Sequence, residues 1–215
     1  MKNNISDKQR IKELDRMFNL FTETHLYFYV WKSLQNKEYN EYFKDNNFFW
    51  IATIHSLHYS WLLNLSKLYE ESSYSQKKKI FSVPSLLMDQ NNGNKSDRVK
   101  KYLKKHKQTI NNLKIRRDNQ FAHNNKEHLL NPKNIETNKP IKYNSIENLL
   151  KDTPDILSNL HPYNDGYIFT GFSNNCKDDV VAFMKKIDFY LKQRKKHSKK
   201  FIKGEIDDNY FPILD

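Results

Sequence analysis

Ile11, Leu14, Phe18, Phe21, His25, Phe28 and Trp31 follow one another at intervals of three and four residues. That spacing makes one face of an α-helix apolar and recurs in three later stretches, so the chain is constrained above all to helices. The first stretch predicts an amphipathic helix over about residues 7–36, with the Ser6 hydroxyl placed to cap its first turn. A second, over about residues 46–70, carries Phe48, Ile51, Ile54, His55, His58, Trp61, Leu62, Leu65 and Leu68 and is richer in apolar residues, as a central helix would be. Four glycines and six prolines among 215 residues are too few for the many tight turns of an all-β chain.

A third helix is predicted from Ser96 to about Glu127, with Val99, Leu103, His106, Ile110 and Leu113 in its stripe. The next member of that series is Arg117, so a cation stands where the pattern calls for a core-facing side chain. Arginine is rarely buried unless it is paired or used. A last helix is predicted from Asp178 to about Lys200, with Val181, Met184, Ile187, Tyr190 and Leu191 inward. Its acidic start and basic end suit the helix dipole.

Between these helices, residues 71–97 read as a connector that docks once through Leu86-Leu87-Met88. Pro132, Pro140, Pro154, Pro162, Gly166 and Gly171 predict an irregular insertion before the last helix, with Tyr167 to Thr170 as a short strand. No linker divides the chain, so one domain over residues 1–203 with a tail at 204–215 is expected.

Composition narrows the partners. A net charge of +12 favours a polyanion, because lysine and arginine release condensed counterions when they meet phosphates. Cys176 is the only cysteine, so a single chain forms neither a disulfide nor a thiolate metal cluster, which suits a reducing cytoplasm. No run approaches the ~20 apolar residues of a membrane span, so no membrane is expected. No phosphate-loop glycine motif is present either. His55 and His58 have a metal-compatible spacing but no cysteine or nearby carboxylate, and neither a metal nor another cofactor is expected.

The chemistry-bearing segment is Arg117-Asp118-Asn119-Gln120-Phe121-Ala122-His123. It joins a fixed cation to a titratable imidazole, the two groups that metal-free phosphodiester cleavage needs. Spacing alone is weak, since a shuffled chain of this composition gives about 0.7 such matches. On a regular helix Arg117 and His123 lie roughly 120° apart, whereas Arg116 and His123 lie within about 20°. Either the helix bends or ends here, or the side chains meet across an interface. Asp118 is suited to fixing an arginine or a histidine tautomer. Lys100, Lys101, Lys104, Lys105 and Lys107 make the polar face of this helix positive, and Lys192 to Lys200 form a second basic run.

Three segments in order, Trp50 to Tyr69, Val83 to Leu87 and Ile115 to His123, resemble the HEPN superfamily, and more closely its branch associated with the phage-resistance protein AbiU2. The resemblance implies an all-α, antiparallel bundle of four to five helices. It also implies a homodimer that assembles a cleft and, in many members, metal-independent ribonuclease activity in toxin–antitoxin or abortive-infection settings. By its motif Arg117 is the phosphate-binding arginine, Asp118 the polar modulator and His123 the catalytic histidine. Arg116, Asn119, Lys100, Lys104 and Lys107 are the expected RNA contacts, and an antitoxin or a nucleotidyltransferase is an expected partner. The rival expectation is a non-catalytic module that binds RNA, a nucleotide or a protein.

Overall fold

The computed structural model describes residues 6–45, 47–70, 82–88, 93–118, 141–163 and 173–203. In chain order these form α1 (Asp7–Leu34), a short 3-10 turn (Lys37–Tyr39), α2 (Asn40–Asp45), α3 (Asn47–Leu68), α4 (Val83–Met88), α5 (Asn94–Lys105), α6 (Lys107–Arg116), α7 (Tyr143–Leu160) and α8 (Ser173–Ile202). The described residues contain no strand. The Tyr167 to Thr170 strand and the 204–215 tail of the sequence reading lie outside them.

Ser6 caps α1 as its position predicts, accepting a hydrogen bond from the Gln9 amide at 3.3 Å. The three-four stripe of α1 then buries Leu14, Phe21, Phe28 and Trp31 against Trp61, Leu62, Leu65 and Leu68 of α3. Burial of each such side chain contributes about 1.5–3 kcal/mol relative to exposure. The aromatic rings settle the packing between α1 and α3: Phe28 meets Trp61 edge-on at 5.3 Å between centroids, and Trp31 stacks on His58 at 5.2 Å. A smaller apolar cluster of Leu34, Tyr39, Trp50, Val180 and Met184 joins the far end of α1 to α8.

The proline-marked insertion is not wholly irregular, because α7 runs through Pro154. Proline there removes one helical hydrogen bond and crowds the preceding turn. Packing outweighs that cost: Ile146, Leu149, Leu150, Thr153, Ile156, Leu157 and Leu160 form a buried stripe at helical spacing. Thr153 donates to the Leu149 carbonyl at 2.7 Å and meets the Tyr69 hydroxyl at 2.8 Å, which ties α7 to the end of α3. Burial pushes the Tyr69 phenol well up, so it stays protonated as a hydrogen-bonding group.

The last helix begins at Ser173 rather than near Asp178. Its inward face is Cys176, Val180, Met184 and Ile187, whereas Tyr190 is exposed. Beyond Ile187 the stripe is only partly covered, with Leu191 half-buried and Phe189 and Tyr190 exposed.

Candidate functional site

The site grows from the α5–α6 arm. Within the described residues the single helix predicted from Ser96 to Glu127 is two helices that break at His106, with α6 ending at Arg116. His106 belongs to the stripe, as predicted, but its buried imidazole reaches Asp152 of α7, with Nε2 and Oδ2 2.7 Å apart. A polar partner in the bundle thus takes the place of apolar contact, and the winding is interrupted there. Lys105 donates to the same oxygen at 2.6 Å, and Tyr102 donates to Asp155 at 3.2 Å. Burial opposes ionisation of Asp152, but hydrogen bonds from Lys105 and His106 outweigh it and hold the carboxyl below its usual range. These contacts fix the arm on α7 while Lys101, Lys104 and Lys107 remain exposed. Lys100 is also exposed and pairs with Asp97 at 3.2 Å.

At Arg117 and Asp118 the helix widens into π-type winding, an irregularity that recurs at functional positions. The angle estimated for a regular helix therefore does not carry through this point. Arg117 is tucked in, with 15% of its side chain exposed, where the stripe predicts a core-facing residue. Its Nε and one terminal nitrogen lie 2.8 and 2.7 Å from Asp118 Oδ1. Its other terminal nitrogen lies 3.0 Å from Glu70 Oε1, just beyond the end of α3. Desolvation disfavours the guanidinium charge, but Asp118 and Glu70 outweigh it and raise its pKa.

Arg117 thus has two carboxylate partners, one of which is the adjacent residue that the motif itself supplies. Asp118 orients Arg117 as expected. Glu70 was missed, although a signal for it exists: a carboxylate at the C-terminal end of a helix opposes the helix dipole and calls for a compensating cation. The expected catalytic His123 and substrate-contacting Asn119 lie outside the described residues.

Arg116 is half-buried and turns toward α3, where with His55 it is one of the charges acting on His58. His58 is half-buried between Trp31 and Trp61, and His55 is exposed. Burial lowers the His58 pKa, and His55 and Arg116 lower it further, so the ring is neutral near pH 7. Among the described residues no three His, Cys, Asp or Glu side chains converge to hold a metal ion. One turn or more before Arg116, Gln108, Thr109 and Asn112 of α6 line a cavity of about 140 Å³ with Ile141, Lys142 and Ser145. The basic run of α8 stands apart, with Lys195, Lys196 and Lys199 exposed and Lys192 paired to Asp188 at 2.7 Å.

A lysine-faced helical arm thus ends in an arginine–polar pair beside the end of α3, within the all-α fold that the HEPN resemblance implies. The family model of AbiU2, a HEPN domain, matches residues 11–163, and the chain belongs to that family. The match spans α1 through α7, wider than the segments that carry the resemblance in the sequence. No curated protein and no solved structure matches the chain. No helix among the described residues is long and apolar enough to cross a membrane.

Proposed function

We propose that this protein is a metal-independent RNA endonuclease of host-defence or toxin–antitoxin type, acting in the cytoplasm as a homodimer. The observation that carries this reading is the placement of Arg117: a partly buried guanidinium, oriented by Asp118, at the end of a lysine-faced arm. The lysines draw RNA toward the arm. Arg117 then meets the scissile phosphate and stabilises charge growing on its oxygens. One His123 takes the proton of the 2′-hydroxyl, the 2′-oxygen bonds to phosphorus, and the bond to the 5′-oxygen breaks. A second His123, from the other copy across a twofold axis, gives that leaving oxygen its proton. The products are a 2′,3′-cyclic phosphate and a free 5′-hydroxyl. A small antitoxin or a nucleotidyltransferase encoded beside the gene belongs to the same reading.

The test is incubation of wild type and His123→Ala with mixed RNAs in EDTA, reading the product ends. Wild type should leave 2′,3′-cyclic phosphate termini, and the variant should be slower by a factor of about 10²–10⁴. Equal cutting by both would sink the assignment of His123. Intact RNA with both would favour the second reading, a non-catalytic binding module, for which one observation speaks: the protein's own carboxylates already engage every nitrogen of Arg117, as they would engage a structural arginine.

A further inference from the structure

From the geometry of Arg117 we infer that Glu70 is an electrostatic latch on the phosphate-binding guanidinium, released when RNA arrives; this rests on the site reading given above. A guanidinium recognises phosphate through a pair of parallel N–H bonds along one edge. Here the Nε edge is taken by Asp118 Oδ1 at 2.8 and 2.7 Å. The remaining terminal nitrogen is held by Glu70 Oε1 at 3.0 Å, so neither edge offers both of its nitrogens to a phosphate. Two carboxylates around one guanidinium also leave the spot net negative, which repels an incoming phosphate.

Of the two carboxylates, Glu70 is the one placed to yield. Asp118 adjoins Arg117 in the chain, makes the two shorter contacts and is carried by the same winding. Glu70 makes one longer contact from a different element, beyond the last residue of α3. Its departure opens the edge formed by the two terminal nitrogens, while Asp118 goes on orienting the fork. RNA then replaces a carboxylate with a phosphate at the same nitrogen, and no atom of the resting site has to be rebuilt. Glu70 is a positioning residue in this scheme, acting through Arg117 and setting the threshold at which RNA occupies it.

The experiment measures binding of a short single-stranded RNA by fluorescence anisotropy in EDTA. All proteins carry His123→Ala so that the RNA stays intact, and Glu70→Gln, Arg117→Ala and the double variant are compared with that parent. Gln keeps the shape of the side chain and removes its charge. Glu70→Gln should tighten binding about three- to tenfold, the effect of roughly one ordinary hydrogen bond. Arg117→Ala should weaken binding and erase the gain in the double variant. Unchanged or weaker binding by Glu70→Gln, with Arg117→Ala still damaging, overturns the latch and leaves the site standing. A gain that persists without Arg117 also overturns it, as a general charge effect. No effect of Arg117→Ala overturns the phosphate-binding role of Arg117 and the latch together.

Discussion

Arg10 and Arg117 are both drawn out of solvent at helix junctions of this bundle, and Arg10 has main-chain acceptors where Arg117 has carboxylates. Arg10 of α1, 7% exposed, donates through Nε to the carbonyl of Leu160 at 2.9 Å and through a terminal nitrogen to the carbonyl of Leu86 at 3.4 Å. Both oxygens belong to the last turns of helices, α7 and α4, where carbonyls lack partners within the helix and the dipole favours a cation. Those acceptors cannot leave without unwinding a helix. Arg117 is instead held by the carboxylates of Glu70 and Asp118, side chains that can rotate away while both helices stay intact. A cation bound to main chain is part of the scaffold, and one bound to side chains can exchange them for a ligand.

The sharpest way to break that comparison is to remove both charges and compare stabilities. Arg10→Met keeps much of the packed stem and loses the hydrogen bonds, at a cost of about 3 kcal/mol. For a chain of this size that lowers the melting temperature by roughly 6–12 °C. Arg117→Met should cost about 1 kcal/mol or less, because its partners are partly exposed. Equal losses in thermal melts would erase the distinction between the two junctions.

Acid also loads the α1 side. His25 is buried between Phe21 and Tyr29, with ring centroids at 5.8 and 4.5 Å, and burial lowers its pKa to about 4. In the unfolded chain the same ring titrates near 6.5. Between those values the unfolded state holds more protons, so stability falls as pH drops through the window, by about 2 kcal/mol at pH 5 relative to pH 7. His25→Phe should flatten that part of the curve in urea titrations at the two pH values. A slope that persists in the variant assigns it to other groups.

The smallest effect sharpens the other side of the comparison. Lys104→Glu with Lys107→Glu should loosen RNA several-fold and lower the dependence of binding on salt, with melting unchanged within about 0.5 kcal/mol. Affinity that ignores these two exposed lysines would detach the arm from the RNA path.

Much of the fold was legible because burial and period coincide along α1 and the second half of α3, where Leu14, Phe21, Phe28, Trp61 and Leu65 sit inward as their spacing requires, whereas Phe48, Ile51 and His55 of the same α3 stripe are exposed. Helix α7 was missed because Pro154 is a local signal for a break, while the evidence for a helix lay in the stripe from Ile146 to Leu160 around it. The break at His106 was hidden for the opposite reason. Its place in the stripe is regular, and its partner Asp152 is 46 residues away in the chain. At the site, the motif singled out Arg117 and Asp118, and the stripe foretold that Arg117 turns inward.

The sequence by itself determined that the chain is helical, which faces of α1, α3 and α5 are apolar, and that a basic arm leads to an arginine–polar pair. These follow from period, charge and adjacency, which are properties of neighbours in the chain. Only the tertiary structure decided that α7 continues through a proline, that Arg10 closes the ends of two other helices, and that Glu70 stands opposite Arg117. Each of those depends on groups that meet across distant parts of the chain, where the energy of a contact is set by burial and geometry that no local pattern records.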